Sequence, residues 1–116
     1  MPLASRWKSI AAILLSLALF SNLSAAPAKK QTFTGEVGDA MCGRKHMADE
    51  GTPAQCTRAC VSHGSKYALI VGDNIYILDT TDKAALDALD KQAGKNAAVT
   101  GVLNGDTIEV GSVAAK

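Results

Sequence analysis

Residues 97–110 read AAVTGVLNGDTIEV, and this stretch decides the fold because it contains the clearest hairpin of the chain. Two β-rich runs, 97–103 and 107–110, flank the pair Asn104-Gly105, and Asn-Gly is the preferred pair of a type I′ turn. The pattern therefore predicts two antiparallel strands joined at this turn. Residues 111–116 are predicted to be a frayed tail.

A second hairpin is predicted upstream of the first. Residues 66–71 (KYALIV) and 75–78 (IYIL) are rich in β-branched and aromatic side chains, which favour strands. A short connection that contains glycine lies between them, as is typical of a hairpin. One more strand is predicted at 32–37 (TFTGEV), where Gly35 lies in mid-strand. A glycine in that position usually marks a bulge or a tight bend.

One helix is predicted between the two hairpins. Residues 83–93 place Ala85, Leu86 and Leu89 at helical spacing before Gly94.

A second, shorter helix is predicted in residues 40–64, which hold all three cysteines and both histidines of the chain. Thr52 is a favourable N-cap, Pro53 suits the first helical position, and Gly64 suits the position after the last turn. These signals predict a helix over 53–62. A helix this short is not stable alone in water, so it must be attached to the rest of the domain.

The predicted order is strand, cysteine-rich insert, strand, strand, helix, strand, strand. This order predicts a mostly β fold with short helices (α+β), in the form of a small five-stranded OB-like barrel. The Cys/His-rich insert at 40–64 then lies between the first two strands, where OB folds have a binding loop. Closure into a barrel also removes exposed strand edges. An open antiparallel sheet with two helices on one side is the alternative.

The N-terminal residues 1–28 have the layout of a secretory signal peptide. Arg6 and Lys8 precede an apolar run over 10–20, and small residues follow, up to Ala28. The apolar run is shorter than the roughly 20 residues that span a bilayer, so no membrane anchor is expected. The sequence predicts an exported protein, periplasmic or secreted, with a single domain over 29–116.

The predicted mature domain of 88 residues has ten basic and eleven acidic residues, and its only aromatic side chains are Phe33, Tyr67 and Tyr76. A nucleic-acid-binding protein needs a basic face and often stacking rings, so nucleic acid is excluded as a partner. A domain of this size buries roughly 60 to 65% of its unfolded surface, which makes its core marginal. A cross-link or a metal ion would therefore stabilise it.

Five residues of the insert form a candidate metal site: Cys42, His46, Cys56, Cys60 and His63. At 100° per residue, the last three fall within about 60° on one face of a helix. The first two are four residues apart, so one helical turn would present them together. Three cysteines and one histidine are a known set of zinc ligands. His63 would be an alternate ligand, or it would interact with one of the four ligands. The neighbouring methionines 41 and 47 also suit copper, so zinc or copper is the predicted metal.

Two other uses of the cysteines remain open. In an oxidising compartment, a Cys42–Cys56 disulfide would contribute about 3 kcal/mol to the free energy of unfolding. The protein would then be a disulfide-stapled interaction module without metal. This disulfide leaves one thiol unpaired. A thiol redox protein would need a low thiol pKa, at Cys42 near Arg44 and Lys45 or at Cys56 near a helix start. No other catalytic site is predicted, and the chain is not expected to be an enzyme.

Three segments resemble a group of small exported bacterial proteins of uncharacterised function: residues 35–47 (GEVGDAMCGRKHM), 56–79 (CTRACVSHGSKYALIVGDNIYILD) and 99–110 (VTGVLNGDTIEV). The group shares a G-x-V-x-D-x-x-C-G-x-x-H opening, a C-x3-C segment and a closing V-x-G hairpin. The resemblance implies a periplasmic or secreted OB-like domain. It also implies that the motif positions are Cys42, His46, Cys56 and Cys60. It implies no activity.

Overall fold

A computed structural model describes residues 28–43 and 51–116. The signal peptide expected at 1–28 therefore lies almost wholly outside the described residues, and His46 lies outside them as well.

The described residues form a mostly β structure with five strands and two helices, as the sequence predicts. In chain order the elements are β1 (Lys30–Asp39), α1 (Pro53–Ser62), β2 (Tyr67–Val71), β3 (Asn74–Asp79), α2 (Lys83–Lys91), β4 (Asn96–Asn104) and β5 (Thr107–Ala115). Neither helix in this part of the chain combines the length and apolar character that a bilayer span requires.

The five strands form one closed ring in the order β1-β2-β3-β5-β4. Neighbours are antiparallel except β3 and β5, which run parallel. The ring closes through β1, because its first part pairs with β4 and its last part, from Glu36 to Asp39, pairs with β2. The open-sheet alternative is therefore wrong.

Gly35 lies where β1 passes from one neighbour to the other. It pairs with Ala97 of β4, and β2 begins to pair at the next residue. A Cβ atom at Gly35 would overlap the carbonyl oxygen of Ile70 in β2. The close approach of two backbones therefore explains the mid-strand glycine.

The last strand corrects the prediction of a frayed tail. β5 continues to Ala115, which pairs with Ala97, and a register irregularity between Thr100 and Gly101 of β4 separates two runs of pairing. The backbone of residues 111–115 is thus satisfied by a strand that lies next to it in the ring. Local sequence does not show this pairing.

The turn between β4 and β5 also differs from the prediction. Asn104 pairs with Thr107, so the two loop residues are Gly105 and Asp106. Gly105 has a φ of +62°, and no non-glycine residue of the described chain has a positive φ. A positive φ at the first loop position alone is the pattern of a type II′ turn, so the type I′ turn is wrong.

The core lies inside the ring and beneath α2. Its buried side chains are Val37, Tyr67, Leu69, Leu78, Leu89, Ala97, Val99 and Ile108. Helix α2 contributes Leu89, whereas the buried residues of α1 are Cys56 and Thr57. Helix α1 also packs the partly buried Val61 against this core, and contacts outside the core add to its attachment.

Two contacts outside the core hold α1 near α2. Arg58 donates from Nε to Oδ1 of Asp90 at 3.2 Å and from Nη2 to the Asp90 carbonyl oxygen at 2.8 Å. The first turn also lies against Gly94, where an added Cβ would be 2.7 Å from the Ala54 nitrogen. The ion pair is about half exposed, and such pairs contribute about 0 to 1 kcal/mol. These contacts position the helix without fixing it strongly.

We expect the Gly35→Ala variant to lose at least about 2 kcal/mol of the free energy of unfolding, because its methyl group would push β2 away from β1. Gly105→Ala is the matched control. It meets no atom within 4 Å and adds only backbone strain at a positive φ, of about 1 kcal/mol. Denaturant unfolding of both variants measures the difference. Equal losses in the two variants would contradict a backbone contact at Gly35.

Candidate metal centre

Asp39 ends β1 and shapes the turn that follows. Its side chain has no exposed surface. Oδ2 accepts hydrogen bonds from the backbone N–H of Met41 at 3.1 Å and of Cys42 at 2.9 Å. The N–H of Gly43 donates to the Asp39 carbonyl oxygen at 3.0 Å. One carboxylate oxygen thus folds the chain back immediately after the strand and fixes the position of Cys42.

Helix α1 begins where the sequence predicts, because its N-terminal capping groups satisfy each other. The Oγ1 of Thr52 accepts from the Gln55 N–H at 3.2 Å, and Oε1 of Gln55 accepts from the Thr52 N–H at 2.9 Å. This reciprocal pair is a capping box, and Pro53 follows it at the first helical position. The helix presents Cys56 and Cys60 one turn apart, toward the end of β1.

Four side chains meet between the end of β1 and α1: Asp39, Cys42, Cys56 and Cys60. One carboxylate oxygen and the three sulfurs all lie within 4.8 Å of one another. The Sγ atoms of Cys42 and Cys60 are 3.5 Å apart. Zinc–sulfur bonds of about 2.3 Å in a tetrahedral site place two sulfurs roughly 3.8 Å apart, so this spacing suits a shared metal ion.

Burial is uneven within this cluster, which we call the Cys3Asp cluster. Asp39 and Cys56 have no exposed surface, whereas Cys42 and Cys60 are partly exposed. An ion would therefore reach the cluster from the side of Cys42 and Cys60.

The structure brings together three of the five residues in the predicted site, Cys42, Cys56 and Cys60. His46 lies outside the described residues. His63 caps the C-terminus of α1, is exposed, and is not part of the cluster. Its backbone N–H bonds the carbonyl oxygens of the last helical turn. The helical angle alone placed His63 beside the cysteines, but the chain leaves helical geometry at that residue.

Sequence reasoning did not include Asp39 among the metal ligands. The signal was present as a carboxylate at the end of a predicted strand, three residues before Cys42. Its significance depends on burial, which the local sequence does not reveal.

No pair of cysteines forms a disulfide, and all three are free thiols. The pair in contact is Cys42 and Cys60, whereas the disulfide considered from the sequence joined Cys42 to Cys56.

The surroundings of Cys42 and Cys60 favour the protonated forms of these two thiols. Burial raises the pKa of the Cys60 thiol to about 12, and its hydrogen bond with Cys42 and the negative charge of Asp39 act in the same direction. The contact with Cys60 lowers the pKa of Cys42, but burial and the charge of Asp39 outweigh it, so the net shift is upward. These directions are opposite to the low thiol pKa that a redox-active cysteine needs.

No protein-family model, curated protein or solved structure matches this chain.

In the reduced, metal-free protein, we expect Cys60 to be alkylated by iodoacetamide at least about tenfold more slowly than in the urea-unfolded chain. A raised pKa leaves less thiolate at neutral pH, so the rate should still be rising as the pH passes 9. Peptide mass spectrometry after timed quenching, at several pH values, resolves the three sites. Rapid alkylation of Cys42 or Cys60 in the folded protein near pH 7 would contradict these pKa shifts.

Proposed function

We propose that this protein binds one transition-metal ion, zinc or copper, through the thiolates of Cys42, Cys56 and Cys60. The observation that carries the proposal is the convergence of three sulfurs, from two separate segments of the chain, within 4.8 Å of one another and of a carboxylate oxygen. Asp39 and His46 are the two candidates for a fourth ligand. The proposed role is binding, with no catalytic step.

The limited burial of α1 supports this proposal. Cys56 and Thr57 are its buried residues, Val61 packs against the core but is only partly buried, and the ion pair to Asp90 is about half exposed. A structural zinc ion contributes about 10 to 16 kcal/mol of apparent binding free energy at neutral pH. A metal bound to Cys42 on one side and to Cys56 and Cys60 on the other would tie α1 to the end of β1.

The thiol pKa values are consistent with this function. A metal ion binds thiolates, so it must displace protons from Cys42 and Cys60, and it supplies the positive charge that the cluster lacks. The same cluster is a poor nucleophile without metal and a good ligand set with it.

A dithiol redox protein is the second candidate, and the 3.5 Å contact between the sulfurs of Cys42 and Cys60 is the observation that favours it. These two thiols would form a disulfide with little movement, and Cys56 would remain as a third thiol. The raised pKa values of both thiols speak against this candidate.

We further propose that the fold is OB-like and that the protein is exported. The ring order β1-β2-β3-β5-β4, with α2 between β3 and β4, supports the first proposal. The cysteine-rich insert then occupies the connection between β1 and β2, where OB folds bind ligands. The basic and apolar pattern of residues 1–28 supports export.

We expect a strong chelator to lower the Tm of the metal-loaded protein by at least about 10 °C, because a few kcal/mol shift the Tm of a small domain by that amount. Native mass spectrometry of protein recovered from its exported compartment should show one metal ion, with Lys29 as the first residue. Three thiols should become alkylatable after chelation.

Cys56→Ser is the control for this measurement. We expect its Tm to be low and to be unaffected by the chelator. A wild-type protein with no bound metal and an unchanged Tm would contradict the proposed function. If its mass were also two daltons below that of the reduced chain, a disulfide would replace the metal ion, and the reactivity of the remaining thiol would distinguish the redox candidate from a structural disulfide.

A further inference from the structure

The fold gives hydrogen-bond partners to only one of the two carboxylate oxygens of Asp39. Oδ2 accepts the backbone N–H groups of Met41 and Cys42. Oδ1 is buried and accepts no hydrogen bond of ordinary length among the described residues, although a hydrogen bond between this carboxylate and the Cys60 thiol contributes to the raised pKa of that thiol. Buried polar atoms in native proteins are nearly always satisfied, and an exception calls for an explanation, of which an ion at that position is one.

The ion pairs found in the described part of the chain engage other carboxylates. Arg58 pairs with Asp90, and Lys66 pairs with Asp79. Both pairs are exposed, whereas Asp39 is fully buried. A buried carboxylate needs a compensating charge or a full set of hydrogen bonds.

The neighbours of this carboxylate are metal-ligating atoms. One of its oxygens lies within 4.8 Å of the sulfurs of Cys42, Cys56 and Cys60. The hydrogen bonds to Oδ2 hold the carboxylate in one orientation, as is usual for a carboxylate that ligates a metal ion. Oδ1 is the oxygen with unused acceptor capacity.

From this geometry we infer that Asp39 is the fourth ligand, through Oδ1, and that it makes the site selective for a divalent zinc-type ion over Cu(I). This inference rests on the proposed metal-binding function.

The selectivity follows from charge and from ligand softness. Three thiolates and one carboxylate carry four negative charges, of which a divalent ion neutralises more than a monovalent ion does. Zinc also accepts a carboxylate oxygen as a ligand, at about 2.0 to 2.2 Å. Cu(I) is selected by soft sulfur ligands and gains little from a hard oxygen. Asp39 therefore contributes to zinc affinity and contributes much less to Cu(I) affinity.

The test compares Zn²⁺ and Cu⁺ affinities of the reduced, full mature chain, each measured by competition with a chelator of known affinity. Asp39→Asn keeps a carbonyl oxygen for the turn and removes the charged ligand. We expect this variant to lose about a hundredfold in zinc affinity and less than about threefold in Cu⁺ affinity. Asp79→Asn, which removes an exposed carboxylate, should change neither.

A second variant and a second metal distinguish the loss of a ligand from misfolding of the variant. Asp39→Ser also keeps a side-chain oxygen that accepts from the turn, and it should reproduce the selective loss of zinc affinity. In Co²⁺-loaded protein, both Asp39 variants should keep the thiolate-to-cobalt charge-transfer absorption, while their visible ligand-field bands change. That pattern shows an intact trio of sulfurs with an altered fourth ligand.

Three outcomes would overturn the inference. Zinc affinity of Asp39→Asn within threefold of wild type would do so, and so would equal losses for zinc and Cu⁺ in both Asp39 variants. The third is a His46→Ala variant that loses zinc affinity while Asp39→Asn keeps it, which would make His46 the fourth ligand. A wild-type chain that binds neither metal would instead contradict the proposed function itself.

Discussion

The turn after β1 depends on the pair of hydrogen bonds that Asp39 Oδ2 accepts from the backbone N–H groups of Met41 and Cys42. Pairing of Asp39 with Tyr67 fixes the last residue of β1 against β2, so the carboxylate begins from a defined position in the ring. The two hydrogen bonds then fix the backbone of the turn relative to the end of β1. Together with the backbone hydrogen bond from Gly43 to the Asp39 carbonyl oxygen, they hold Cys42 near the helix that carries the other two cysteines.

The ring and the insert are stabilised by different interactions. The ring has a continuous apolar core, to which α2 contributes Leu89. Helix α1 is ordered at its N-terminus by a capping box and is located by Gly94 and Asp90, and it packs one partly buried apolar side chain, Val61, against that core. The Cys3Asp cluster lies where the two parts meet. The order of the insert is therefore expected to respond to the chemistry of the cluster more than the order of the ring does.

Local signals in the sequence predicted local structure well. The bounds of α1 were correct because Thr52, Pro53 and Gly64 act within one or two turns of their own positions. The gathering of the three cysteines was also predicted, since two of them share a helical face and the third belongs to a Cys/His pair that was expected to meet them. The extension of β5 was missed because its hydrogen bonds come from β4, across a register irregularity. Asp39 was missed as a member of the cluster because its burial depends on tertiary contacts at the end of β1, which no local signal shows.

The protonated thiols and the buried carboxylate have one physical explanation. Burial opposes negative charge, and the charge of Asp39 opposes it further, so the thiols of Cys42 and Cys60 keep their protons. Such a cluster is unfavourable for a nucleophile, which needs a thiolate at neutral pH. A cation placed among the same four atoms reverses each of these effects, because it compensates the carboxylate and favours every thiolate at once. Of these features, the negative charge of Asp39 both disfavours thiolate formation and favours a bound cation.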